Sequence, residues 1–123
     1  MPRIVGSRCV LAVRDLASAT RFYMDTLGFT RDFGDGSDGW SFLSRDGFRL
    51  ALGECSDALP AHELGDHSYF VYLTVEGLDD LHRDLAAKGV QVLSAPRDQP
   101  WEMREFSIRT PEGHRIMFGQ PTF

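Results

Sequence analysis

Several things that would each commit a chain to a class are missing from this 123-residue sequence. No run approaches the ~20 apolar residues that a membrane span needs. The opening MPRIVGSRCVLAV is too short in its apolar stretch for a secretory leader and merges into a strand-like run. A basic excess is absent too: 13 Lys and Arg stand against 18 Asp and Glu, giving a net charge of −5. That balance argues against nucleic acid as a partner, because phosphate binding needs a basic face. It is compatible with a cationic small molecule, and equally with solubility alone. The two cysteines, Cys9 and Cys55, lack ligand spacing and read as free thiols in a cytoplasmic protein. None of the four histidines shares the i, i+4 spacing of a helical metal pair.

What is present reads as one domain with an ordinary apolar core. Arg8 to Val13 reads as a strand, and Asp15 caps a helix over Leu16–Leu27 that Gly28 ends. Leu16, Ala19, Tyr23 and Leu27 fall close to one face of it. Strands follow at 29–33, 40–44 and 48–52, joined by the turn-rich DGSDG and by Arg45-Asp46-Gly47. The segment 54–66 lacks a clean period and reads as a loop. Then the order starts again: a strand over 69–75, a helix over 78–88 with Asp79 and Asp80 in its first turn and Lys88 in its last, Gly89 after it, and a strand over 90–93. Two further strands, Trp101–Arg109 and Arg115–Gly119, flank the turn Thr110-Pro111-Glu112-Gly113. A tryptophan beside charged residues on this last hairpin is the first hint of a recognition surface.

The halves also correspond residue by residue. VRDL (13–16) matches VEGL (75–78) 62 positions later, and Gly28 matches Gly89 61 later. DGFRLAL (46–52) matches EGHRIMF (112–118) 66 later. Three matches in the same order indicate a duplicated βαβββ unit.

A tandem βαβββ with VRDLASATRFYMDTLGF near the start and PWEMREFSIRTPEGHRIMFG near the end resembles the vicinal oxygen chelate superfamily of glyoxalases, dioxygenases and bleomycin-resistance proteins. PW-x-x-REF and TRDFGD are most similar to the bleomycin-resistance branch. The resemblance implies an α+β fold over 1–123, with module one about 4–54, module two about 67–121, and mixed sheets that form a cup. It also implies a homodimer. Enzymes of the superfamily hold a divalent metal with two ligands per module. The motif carries those positions onto Arg8, Ala51, Phe70 and Met117. Arg cannot give up its proton to coordinate, and the others lack hard donors, so neither a metal nor another cofactor is expected.

If those positions point into the cup, alternation adds Val10, Ala12, Tyr72, Thr74, Arg49 and Arg115 to them and turns Cys9, Leu11, Val13, Val71, Leu73 and Val75 toward the helices. The expected ligand-binding residues are Trp40, Phe42, Phe70, Tyr72, Trp101, Arg104 and Met117, with Phe33 a further stacking or core residue. Asp32, Asp35 and Asp38 form an acidic strip that reads either as a lure for a cation or as a solvated turn. The expected function is metal-free binding of a small aromatic or cationic ligand, such as an antibiotic. The alternative is a lyase, isomerase or dioxygenase using a divalent metal, with Glu102, Glu105, His67 and His114 for proton transfer. His82 reads as a packed helix residue, and His114 as a turn residue with local structural duty.

Overall fold

The computed structural model describes residues 2–60, 63 and 69–123, so His62 and His67 lie outside the described residues. The chain divides into two compact units, Met1–Ala58 and Leu59–Phe123. In the first, β1 (Cys9–Val13) leads into α1 (Leu16–Arg21), followed by β2 (Thr30–Phe33), β3 (Trp40–Arg45) and β4 (Phe48–Glu54). The second repeats this with β5 (Tyr69–Thr74), α2 (Leu78–Ala87), β6 (Gln91–Gln99), β7 (Met103–Arg109) and β8 (Arg115–Pro121). Each unit is one helix on a four-stranded mixed sheet, with strand orders β1-β4-β3-β2 and β5-β8-β7-β6. In both, the first and last strands of the unit pair in parallel and the rest antiparallel.

The duplication extends to register. Val10 lies opposite Ala51, and Tyr72 opposite Met117; Ala12 opposite Gly53, and Thr74 opposite Gly119. These pairs carry the offsets of 62 and 66 seen in the sequence. The same offsets relate two helix caps. The Leu16 N–H donates to Glu54 Oε2 (3.1 Å), and the Leu78 N–H donates to Gln120 Oε1 (2.9 Å). Each helix therefore has a first-turn amide, otherwise an orphan donor, satisfied from the end of its own last strand.

Apolar residues on one side of each sheet meet the helix. Val13, Leu16, Ala19, Tyr23, Leu43, Leu50 and Leu52 are buried in unit 1; Leu78, Leu85, Phe106, Ile108, Ile116 and Phe118 in unit 2. Phe106 and Phe118 stack at 4.8 Å, and His82 meets Phe106 edge-on at 5.3 Å, a packing role. Among the described residues no helix is long and apolar enough to cross a membrane.

Four local expectations need correcting. The first helix is not α-helical throughout: after Arg21 it widens into a π-helical turn, Phe22–Thr26, where the Leu27 N–H reaches Phe22 O at 3.1 Å, five residues back. The side chains stay on the core face, which is why periodicity alone did not register the change. Lys88 caps the second helix just beyond its last residue and pairs with Asp84 at 3.4 Å. β6 runs to Gln99, past Pro96, because register shifts at 92–94 and 94–97 accommodate the proline on this edge strand. Finally, Trp101 precedes β7. Trp101 and Glu102 form the turn after Pro100, with Glu102 at φ 64° and its N–H on Gln99 O at 3.2 Å.

Candidate functional site

In unit 1 the sheet face opposite α1 is built around Arg8. Its guanidinium donates through Nη1 to Leu50 O (2.7 Å) and Leu43 O (3.3 Å), and through Nη2 to Asp32 Oδ2 (3.0 Å). Asp32 is the extra residue of a bulge between Arg31 and Phe33, which aims its carboxylate at Arg8 and at the Ser44 hydroxyl. The hydrogen bond from Ser44, then that from Arg8, hold the Asp32 carboxyl below the usual carboxylate range. Arg8 also lies 5.7 Å from the Phe33 ring and 5.6 Å from that of Phe42.

Those rings continue into a ladder. Phe33 stacks on Phe42 at 4.4 Å, and Trp40 on Phe42 at 6.2 Å, with interplanar angles of 19° and 17°. Gly53 makes room for it, since a Cβ there would stand 2.8 Å from the Trp40 ring. Phe33 and Trp40 remain exposed, so the ladder presents aromatic surface.

Unit 2 finishes the equivalent face differently. Glu105 is buried, 7% exposed, and its Oε2 accepts from the Tyr72 hydroxyl (2.6 Å) and from Trp101 Nε1 (3.0 Å). Tyr72 crosses Gly119, where a Cβ would overlap its hydroxyl. Loss of water around the hydroxyl, then the bond to Glu105, push the Tyr72 phenol well above the ordinary tyrosine range. Both donors fall on Oε2, and Glu105 Oε1 has no hydrogen-bond donor among the described residues. Trp101 and Tyr72 are 62% and 44% exposed, so their rings flank an anchored carboxylate while remaining open to solvent.

Trp101 and Tyr72 are therefore brought together, with Met117 as the backbone neighbour of Tyr72, while Trp40 and Phe42 stack in unit 1. Arg104 stands apart. It alternates onto the helix side of β7 and pairs with Asp79 (2.9 Å) and Asp98 (3.1 Å). Phe70 is the extra residue of a bulge in β5 and meets His114 edge-on at 5.8 Å, an arrangement that strict alternation does not anticipate. Of the proton-transfer candidates, Glu102 occupies the β6–β7 turn and Glu105 anchors two donors. His114 is buried at the β7–β8 turn, where its N–H donates to Thr110 Oγ1. Sequence reasoning missed Asp32 as the partner of Arg8, because the bulge that aims it leaves no mark. It also missed Gly53 and Gly119 as clearances, although the 66-residue offset could have paired them.

The family model for the Glyoxalase/Bleomycin resistance protein/Dioxygenase superfamily matches residues 7–118. The chain belongs to this superfamily. A bleomycin resistance protein of Geobacillus stearothermophilus is 28% identical over 123 residues, covering 89% of this chain and 92% of the relative. One from Staphylococcus aureus matches to the same extent. Among solved structures, the bleomycin-binding protein of Streptomyces verticillus complexed with copper(II)-bleomycin superposes with a TM-score of 0.71 at 26% identity, covering 96% of this chain and 97% of that one. TnmS3, an antibiotic binding protein from Streptomyces sp. CB03234, shares the fold at TM-score 0.79 and 22% identity, with 98% of each chain covered. These relatives place the chain with the bleomycin-resistance branch.

The metal of the superfamily's enzymes does not suit the residues at the corresponding positions. Arg8 is permanently protonated and has spent three hydrogen bonds on two carbonyls and Asp32. Ala51, Phe70 and Met117 offer no nitrogen or oxygen donor in their side chains. Among the described residues no group of three or more His, Cys, Asp or Glu comes together as a metal site.

Proposed function

We propose that this protein binds and sequesters a small aromatic molecule of the antibiotic class, without a metal and without turnover. The observation that carries the reading is the state of the exposed aromatics. Trp40 and Phe33 are fixed by stacking, and Tyr72 and the turn residue Trp101 by hydrogen bonds to Glu105. Rigid, solvent-exposed rings lose little entropy when a planar ligand stacks on them, each contact adding roughly 0.5–1.5 kcal/mol beyond area burial. A sequestering protein needs affinity alone, and an arginine in place of a metal ligand is consistent with that. The bleomycin-resistance relatives favour a ligand of that class.

The test is a thermal-shift and tryptophan-fluorescence titration with bleomycin and a panel of aromatic antibiotics. Saturable quenching is expected from at least one, and Trp101→Ala should abolish its Trp101 component with the melting midpoint nearly intact. Unchanged affinity in Trp101→Ala would remove that residue from the site. Metal analysis of purified protein yielding about one tightly held divalent ion per chain would overturn the metal-free reading. The same reading includes a homodimer. Sedimentation at micromolar concentration should give about twice the 13.8 kDa chain mass, and a monomer there would contradict it.

A further inference from the structure

The face of unit 2 that carries Glu105 has a second polar cluster nearer the β7–β8 turn. Ser107 is fully buried two residues beyond Glu105 on the same side of β7. Its hydroxyl receives the Tyr69 O–H at 3.4 Å and shares a hydrogen bond with Ser94 Oγ at 2.7 Å. Two residues further along the same side stands Arg109, directly opposite Arg115 on β8. Like charges placed directly across an antiparallel pair repel. Arg115 is buried and has contacts of its own, whereas Arg109 Nε is buried with no hydrogen-bond partner among the described residues.

The donors can be counted. Tyr69 spends its proton on Ser107, and one serine proton is used between Ser94 and Ser107, which leaves the other serine proton without an acceptor among the described residues. The Arg109 Nε–H adds a second donor on the same face of β7, at the register position across from Arg115 on β8. A buried N–H without an acceptor, next to a like charge, is destabilised until an anionic acceptor arrives.

We propose that Arg109, with the Ser94–Ser107 hydroxyl pair, binds one oxyanionic group of a small molecule, a carboxylate or a phosphate. The proposal rests on the reading of this face as the ligand surface, and it narrows the ligand class. Glu105 and Arg109 lie four residues apart on β7, about 13 Å at the usual strand rise. A ligand spanning both presents a hydrogen-bond donor or cation at the Trp101 end and an oxyanion at the turn end.

The test is an NMR titration of the intact chain with sodium acetate and, separately, inorganic phosphate, at ionic strength held constant with chloride, following the arginine Nε–Hε signals. A saturable shift of Arg109 with a Kd at or below ~10 mM is expected from at least one anion. Acetate alone acting identifies a carboxylate, and phosphate alone a phosphate group. Arg109→Gln should weaken binding at least ~10-fold, with Arg109→Lys falling between, because a point charge cannot replace the guanidinium fork. Arg104→Gln, on the opposite side of β7, should bind as the parent does. Backbone amide spectra establish that each variant is folded, and a misfolded Gln variant leaves the Lys variant to decide. A shift that grows linearly with either anion, or that persists in a folded Arg109→Gln, overturns the proposal. Loss of antibiotic quenching with the anion shift retained would sink the proposed function and leave the oxyanion site standing.

Discussion

Unit 1 and unit 2 share a strand order, a register and a way of capping their helices, yet they finish equivalent faces with opposite chemistry. Gly53 and Gly119 occupy the same register position, each opposite the first strand of its unit. In unit 1 the Trp40 ring lies across that glycine and joins a stack ending at Arg8; in unit 2 the Tyr72 hydroxyl lies across it and ends on Glu105. On β7 it is Glu105 that pairs with Gly119, as Trp40 on β3 pairs with Gly53. The contrast teaches that duplication preserves the backbone clearances, while the side chain crossing each gap is free to diverge. One face becomes a cation-backed aromatic ladder and the other an aromatic pair anchored on a carboxylate.

Removing the middle of the ladder should have the largest effect. Phe42→Ala takes out the ring contacted by both Phe33 and Trp40. Because Phe42 is only half-buried, a loss of about 2–3 kcal/mol in urea unfolding is expected, below the ~3–5 of a fully buried phenylalanine. An unchanged midpoint would mean that the ladder is ornamental. Glu105→Gln should be milder, about 1–2 kcal/mol, since an amide oxygen can still accept from one donor. Its specific signature is the phenol of Tyr72, whose titration should move part of the way back toward the ordinary range. Only part is expected, because loss of water is the larger cause of the shift. A Tyr72 titration that does not respond would disprove the link.

Gly53→Ala and Gly119→Ala compare the two clearances directly. Each should cost about 1–2 kcal/mol by overpacking, but only the second should alter the Tyr72 titration. Equal changes in that titration would break the comparison. The units should also fail at opposite ends of the pH scale. Asp32 has a lowered pKa, so its stabilisation is fully present above about pH 4 and is lost as pH falls through the folded value. Tyr72 has a raised pKa, so its stabilisation is fully present below about pH 10 and is lost as pH rises toward the folded value. Urea midpoints of Asp32→Asn and Tyr72→Phe measured against pH should converge on the parent at low and high pH respectively. The smallest effect belongs to Arg104→Ala. Its ion pairs with Asp79 and Asp98 are solvent-exposed, and the melting midpoint should hardly move.

The sequence by itself determined the duplicated βαβββ order, the helix faces and the inability of the Arg8 side chain to coordinate a metal. Those follow from periodicity, internal matching and the chemistry of a side chain that keeps its proton. Local patterning could not report the bulges at Asp32, Phe70 and Pro96, because an extra residue changes hydrogen-bond register without changing composition. It counted Arg104 among the ligand-binding residues and Glu105 among the proton-transfer candidates, whereas a strand sends these consecutive side chains to opposite faces. Which partners those side chains meet, Asp79 and Asp98 for one and Tyr72 and Trp101 for the other, depends on elements up to 33 residues away. Only the packed sheet brings such residues within hydrogen-bonding distance, and so only tertiary structure decided what each face can recognise.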